Sequence, residues 1–490
     1  MNFSIIRRTL GWLLLFEGIF FHLPLITAAI YWEAEFFSFL ICIGICAALG
    51  GLCFIKKPKN TSIFAKEGFV IVALSWIVIS LIGALPFVLS GAIPSYVDAL
   101  FETVSGFTTT GATILNGGQI DGMAKSLLMW RSFTHWVGGM GVLVLIMAFL
   151  PLSGARNMHM MKAESPGPVV GKIVPKVKQT AIILYAIYSG MTVIQLIMLL
   201  CGGVPLFEAL TTSFATAGTG GFFANSQGVA GYNLYVQIVV TVFMALFSIN
   251  FNSYYLIGRG KIKDAFNTEV RAFLAIFFTA VALIALDVWL EPMIFSGKFE
   301  YEYSLGESIQ HAFFYVSSII STTGFGTVDY TLWPVFSQTI LVVLMFIGAC
   351  AGSTGGGIKV SRIVILSKAG MREVGSLIQP NRVKKITMDH RPVSHEVVRS
   401  VTAYFIAYIA VFALSTLLVS FNVGIDFTTN FSAVASTLNN VGPGLSAVGP
   451  MGNFSVYNDF SKFVFIFDML AGRLEIFPML ILFAPITWKK

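Results

Sequence analysis

Four stretches decide how this chain folds, and they read alike. The first is Ser105-Gly-Phe-Thr-Thr-Thr-Gly-Ala-Thr113. The second is Ser213-Phe-Ala-Thr-Ala-Gly-Thr-Gly-Gly-Phe222. The third is Ile320-Ser-Thr-Thr-Gly-Phe-Gly-Thr327, and the fourth is Thr437-Leu-Asn-Asn-Val-Gly-Pro-Gly-Leu445. With Gly111, Gly218, Gly324 and Gly442 as reference points, the intervals are 107, 106 and 118 residues. A period of that size means one structural unit used repeatedly. The last interval is longer because the basic loop 368–399 is longer. Each stretch closes a moderately polar segment: 96–116, 204–226, 305–330 and 426–446. Each segment begins amphipathic, with room for roughly 10 to 14 helical residues, too few to cross a bilayer. It is also too apolar for a loop in water.

The residues outside these segments say where the units sit. Hydrophobic residues are 56% of the 490 and charged residues 11%; mean hydropathy is +0.81. A soluble chain carries roughly 25% charge, so most of this surface faces something other than water. The composition implies an all-α polytopic membrane protein. It excludes soluble multidomain, disordered, DNA-binding and disulfide-scaffold classes. Cys42, Cys46, Cys53, Cys201 and Cys350 lie in apolar stretches with no ligand cluster beside them, so they read as small buried hydrophobes. Arg7 and Arg8 precede a run, 10–31, that is long enough to span, and we expect a retained helix.

Of the 31 Lys and Arg, 26 fall into six clusters. These are Arg7–Arg8, 56–66, 156–178, 259–271, 359–399 and the final two residues. They occupy every second boundary between apolar runs. The positive-inside rule then puts both termini and four loops in the cytoplasm, and the basic balance needs no nucleic acid to explain it. Ten transmembrane helices are expected: 10–31, 37–55, 68–89, 127–150, 180–201, 234–257, 272–294, 333–366, 397–421 and 460–488. They divide into an N-terminal helix pair, 1–60, and four helix–pore-loop–helix repeats, 61–165, 166–265, 266–385 and 386–490.

A Thr/Gly stretch without helix at membrane depth leaves its carbonyls unpaired, which is tolerated only beside a watery cavity. Four copies around one axis place four sets of carbonyls on it, as in a potassium filter. Glycine gives each strand the backbone freedom to aim them inward. The candidate ion ligands are Thr109, Thr110, Gly111, Thr322, Thr323, Gly324, Asn440, Val441 and Gly442. The second stretch offers two registers. Spacing from Phe214 favours Gly218, and the alternative is Thr219-Gly220-Gly221.

At these residues the sequence resembles the Trk/Ktr superfamily of potassium transporters, most closely its TrkH branch. The resemblance rests on Thr108-Thr-Thr-Gly-Ala-Thr113, Arg131 with Trp136-Val-Gly-Gly-Met-Gly141, and Ala163-Glu-Ser-Pro-Gly-Pro-Val169. It continues through Cys350-Ala-Gly-Ser-Thr-Gly-Gly-Gly-Ile-Lys-Val360, Thr437 to Leu445, and Gly472-Arg-Leu-Glu-Ile-Phe477. The N-terminal pair matches the TrkH rather than the shorter KtrB type. The resemblance implies K+ uptake across a bacterial inner membrane, a homodimer, and a cytoplasmic nucleotide-binding ring of TrkA type. It also favours the register Thr219-Gly220-Gly221.

Two further features lie where the chain would return to the cytoplasm. Gly348, Gly352, Gly355, Gly356 and Gly357 interrupt the third unit's second helix. Three consecutive glycines cost roughly 3 kcal/mol in a helix, so the helix breaks there. The functional reading is a mobile gating loop with Lys359 at its cytoplasmic end; the other is a passive kink. Gly357 is followed by Ile358 rather than Lys, so this is no phosphate loop. Arg473 lies mid-span, where a charge is costly and functional by default. It either faces the pore or pairs with Glu475 or Asp468. Arg131 is either a snorkelling anchor or a brace. Glu102, Asp121, Glu208, Asp329 and Asp459 near the outer mouth either steer cations or act as caps and solvated charges. A transporter or channel for another cation such as sodium is the alternative function; an inverted-repeat carrier does not fit four same-way units. No paired acids or His/Ser arrangement suggests an enzyme.

Overall fold

The computed structural model describes residues 1–56, 64–141, 177–294, 303–379, 385–389 and 391–488. Part of the fourth expected span, the motif at 163–169, Lys298 and several basic-cluster residues, among them Arg156, Lys162 and Arg382, lie outside them.

The chain is a multi-pass helical membrane protein. Among the described residues, six stretches are long and apolar enough to cross a bilayer: Phe3–Tyr31, Phe36–Phe54, Lys66–Leu89, Lys178–Cys201, Thr268–Glu291 and His395–Val419. The only strands among the described residues are the two-residue pair Thr387–Met388 and Arg391–Pro392 in the long basic loop. The first two spans are packed by small residues. A Cβ on Gly11 would lie 2.6 Å from the Cys53 Cβ, and one on Gly50 would lie 2.9 Å from Leu15. Such contacts suit helices that association in lipid must hold by close packing.

Four short helices organise the rest: Tyr96–Phe107, Leu206–Gly218, Leu305–Ile320 and Phe427–Asn439. Three begin with a side-chain cap: Ser95 to the Asp98 amide, Ser304 to Glu307 and Asp426 to Thr429. Such caps satisfy amides that have no partner in the first turn. Each short helix packs between the long helix before it and the helix after it. Each also packs on the following helix of the previous unit. Leu206–Gly218 lies on Lys125–Gly139, Leu305–Ile320 on Leu234–Phe247, and Phe427–Asn439 on Val335–Ile347. Tyr96–Phe107 lies on Asp459–Arg473, which closes the circle.

The following helices differ from the expected continuous spans. The sequence predicts a break only in the third, and the structure breaks the second and fourth as well. Leu234–Phe247 and Phe251–Gly258 meet at 93°. Asn250 caps the new helix at the Asn252 amide, and Ser248 spends its carbonyl on the Cys350 amide. In the fourth, Glu475 and Ile476 take positive φ before Phe477–Phe483, whose second residue is Pro478. Proline suits a helix start and cannot continue an earlier ladder. The third runs as Val335–Ile347, an irregular segment, and Val360–Ile378.

Candidate functional site

The C-terminal ends of the four short helices converge, and each ends in the same way. Thr109, Thr219, Thr322 and Asn440 hold left-handed backbone, with φ of 56°, 55°, 60° and 55°. The next amide reaches back five residues to a helix carbonyl. Thr110 bonds Ser105 at 2.9 Å, Gly220 bonds Ala215 at 2.9 Å, Thr323 bonds Ser318 at 2.8 Å and Val441 bonds Ser436 at 2.9 Å. This closure satisfies helix-end carbonyls, usually with glycine at the left-handed position. Here that position carries Thr three times and Asn once, at a steric cost of order 1–3 kcal/mol each.

One residue further on, Gly111, Gly221, Gly324 and Gly442 also have positive φ, of 79°, 82°, 78° and 103°. Each sits against the preceding carbonyl of the next unit. A Cβ on Gly111 would lie 2.1 Å from Gly220 O, and one on Gly221 2.2 Å from Thr323 O. On Gly324 it would lie 2.2 Å from Val441 O, and on Gly442 2.6 Å from Thr110 O. The contacts run 1 to 2 to 3 to 4 and back to 1, so the four stretches form a closed ring.

The repeated geometry of the second stretch falls on Thr219-Gly220-Gly221. Gly218, which spacing favoured, is instead the last residue of its helix. It is glycine for packing: a Cβ there would lie 2.2 Å from the His135 carbonyl. Gly220 is small for a related reason, because its Cβ would lie 2.2 Å from the His135 ring. The imidazole fills the place that Thr110, Thr323 and Val441 fill in the other stretches. Its Nδ1 is 2.7 Å from Gly106 O, and its Nε2 is 3.2 Å from the Phe222 amide. Those partners require a neutral ring with the proton on Nδ1. Sequence alone does not single out His135; its one signal is a smaller residue at 220 than in the other copies.

Arg131 is a brace and not a snorkelling anchor, being 2% exposed. Its Nε and Nη2 donate to Glu102 at 2.8 and 2.6 Å, its Nη1 to Phe223 O at 3.2 Å, and its guanidinium lies 4.0 Å from the Phe222 ring centre. Glu102 also accepts from the Thr113 hydroxyl and the Ile114 amide. The pair therefore fixes the ends of the first and second stretches together.

A cavity of about 290 Å³ lies on one side of the ring. Its lining includes the four positive-φ glycines, Asn116, Asn225 and Arg131, and, among the described residues, no Asp or Glu. The acids expected at the mouth have hydrogen-bond partners: Asp121 has Ser226, itself part of the lining, Glu208 has Tyr232 and Asp329 has Thr331. The Ser226 hydroxyl and amide hold the Asp121 carboxyl below the usual carboxylate range.

On the opposite side, a cavity of about 70 Å³ is lined by Gly139, Gly355, Gly356, Gly357, Lys359 and Arg473 among others. The irregular segment between Ile347 and Val360 crosses it. Gly352 has φ of 72° and its carbonyl accepts from the Phe251 amide; the Thr354 hydroxyl donates to Phe247 O at 3.2 Å. Both partners flank the break in the second unit. Glu269, which the sequence reading did not single out, accepts from the Ala351 amide at 2.7 Å and the Ser361 amide at 3.1 Å. It thus holds both ends of the segment. Lys359 is 3% exposed and its ammonium donates to Gly355 O. Arg473 lies in the last turn of its helix, at the break in the fourth unit. It donates to Thr354 O at 2.7 Å, Gly138 O at 2.5 Å and Gly139 O at 2.6 Å. One guanidinium therefore joins the first, third and fourth units. Of the acids weighed as its partners, Glu475 receives Arg362 and Asp468 receives the Ser415 hydroxyl.

Comparison with known proteins agrees with this geometry. The family model described as TrkH, cation transport protein, matches residues 35–490. The Trk system potassium uptake protein TrkH of Escherichia coli K12 is 35% identical over the whole of both chains. The Trk system potassium uptake protein TrkG of the same organism is 34% identical, covering 95% of this chain and 94% of that one. The crystal structure of the potassium transporter TrkH from Vibrio parahaemolyticus covers both chains fully, with TM-score 0.87 and 32% identity. A family model matched from residue 35 to the last, and relatives named as transporters rather than enzymes aligned end to end, establish that the chain belongs to the TrkH family of cation transport proteins.

Proposed function

We propose that the chain takes up K+ across the bacterial inner membrane through the ring, which acts as a selectivity filter. The observation that carries this is the cyclic contact of each positive-φ glycine with the next unit's carbonyl. It brings the backbones at Thr110, Gly220, Thr323 and Val441 around one centre, where their carbonyls replace an ion's hydration shell. Thr109, Thr219, Thr322 and Asn440 continue the ion ligands on the side toward the small cavity. The C-terminal ends of the short helices add partial negative charge at the same place. The full architecture is then ten spans, with four pore units after an N-terminal pair and both termini cytoplasmic.

The segment 352–357 is the gate. It lies directly beneath the ring, and Arg473 and Lys359 hold it through backbone carbonyls. Their charges also raise the barrier to a cation leaving the ring. The mobile part is glycine-rich because it packs on other backbones without room for a Cβ. A homodimer with a cytoplasmic TrkA-type nucleotide-binding ring is the regulatory assembly; relatives named as parts of a Trk system support it. The test is growth of an uptake-deficient bacterium at limiting potassium, with and without that partner. Rescue is expected. A folded, membrane-inserted chain that rescues only sodium-dependent growth, or none, contradicts the reading.

A further inference from the structure

The four left-handed residues next to the ring are equivalent in backbone but not in what their side chains meet. The Thr109 hydroxyl is buried and has no hydrogen-bond partner among the described residues. The Thr219 hydroxyl turns back to Gly218 O. The Thr322 hydroxyl is taken by the gate segment: it accepts from the Gly356 amide at 2.6 Å. The adjoining amide, of Gly357, donates to the carbonyl of Asn439 at 3.1 Å. That carbonyl ends the fourth short helix. The fit is too close for side chains. A Cβ on Gly356 would lie 2.3 Å from Asn439 O, and one on Gly355 2.7 Å from Ser321 O.

We propose that the Thr322 hydroxyl and the Asn439 carbonyl are shared between the gate segment and the transported ion. An amide hydrogen aimed at an oxygen places partial positive charge where a dehydrated cation would sit. Seating of Gly356 and Gly357, and occupation of the innermost position by K+, therefore exclude each other. The transported ion is itself the ligand that unseats the gate, and a seated gate lowers ion affinity by the same factor, since coupling between two binding equilibria is reciprocal. This inference rests on the reading of the ring as a potassium filter.

The test uses amide hydrogen exchange on the full-length wild-type chain, in K+ and in an equal concentration of choline. The amides of Gly356 and Gly357 are expected to exchange faster in K+. Equal or slower exchange overturns the proposal. The reciprocal arm measures K+ binding by thermal stabilisation. Gly356→Ala cannot seat beside Asn439 and is expected to bind K+ at least about threefold more tightly, because the fraction of competent molecules rises. Thr322→Val removes the gate's acceptor and the ion's ligand together, and is expected to bind more weakly; tighter binding would show that the hydroxyl serves the gate alone and overturn the sharing. Should Gly356→Ala fail to fold, exchange on the wild type still decides. The two readings fail differently. Stabilisation by K+ without any change at Gly356 and Gly357 removes only the competition. No stabilisation by K+ relative to choline, in wild type, removes the potassium filter as well.

Discussion

Arg473 and His135 show what single side chains do around the ring. Arg473 carries a charge at any accessible pH and donates to carbonyls of the first and third units. Arg473→Ala removes those ties and the positive charge together. Faster K+ flux per folded molecule in vesicles is expected, with Arg473→Lys close to wild type because the charge remains although the planar fork is lost. An alanine variant that folds fully and conducts at the wild-type rate would leave Arg473 without a gating role. His135 joins the first short helix to the second stretch. His135→Ala leaves the Gly106 carbonyl and the Phe222 amide without it, at a cost of about 1–3 kcal/mol for a buried unsatisfied group. It also empties the space beside Gly220, so discrimination of K+ from Na+ should fall more than folded yield. Flux ratios beside a melting curve check this. The Thr/Gly stretches were legible because their signal is local. His135 and the Arg131–Glu102 brace were not, because their partners are chosen by packing between segments: Arg131 and Glu102 are 29 residues apart.

On the reading proposed, the element that gates the ring is the segment between Val335–Ile347 and Val360–Ile378. Its position was legible, since three consecutive glycines cannot sit comfortably in a helix. What it touches was not. Its contacts to Phe247, Phe251 and Glu269 depend on the break in the second unit, which the apolar run 234–257 conceals. The fourth break had a visible signal in Pro478, which the hydropathy of the run outweighed. Shortening the segment by deleting Gly355, Gly356 and Gly357 is expected to raise flux in vesicles. Unchanged flux from protein of normal folded yield would make the segment a kink and no gate. Glu269→Gln weakens both ties of the segment, at Ala351 and Ser361. It should raise basal flux in the same assay, by less than the deletion does.

At the scale of the whole molecule, the charges around the two cavities set how an ion approaches the ring. Among the described residues, no carboxylate lines the cavity on the far side of the ring from the gate. The acids nearby are committed to hydrogen bonds and ion pairs, as Glu102 is to Arg131 and Asp98 to Lys462. The Glu102 and Asp98 charges are offset by Arg131 and Lys462, and Asp121 keeps its charge but stands in water, which screens it, so K+ affinity should depend only weakly on ionic strength. Asp121→Asn should leave it unchanged. Since Ser226 lowers the Asp121 carboxyl's affinity for protons, its tie is present above the ordinary carboxylate range and is lost only as pH falls through the lowered value. Uptake measured at pH 5 and 7 should show no change traceable to Asp121, and a difference abolished by Asp121→Asn would contradict this. The basic residues instead gather on the gate side, at Arg259–Arg271 and around Lys368, where a nucleotide-binding partner is expected to dock. Absence of binding to a TrkA-type protein in either nucleotide state would remove that partner.

On the reading proposed, four stretches scattered along the chain form one ring that selects potassium. The most direct measurement is rubidium uptake into vesicles holding the purified chain, competed by K+ or by Na+. Wild type should be competed by K+ and far less by Na+. Gly111→Ser, Gly221→Ser, Gly324→Ser and Gly442→Ser should each lose that preference, since each forces a side chain against the neighbouring carbonyl at a positive φ. Preference retained in all four folded variants would show that the ring is not where the ion is chosen.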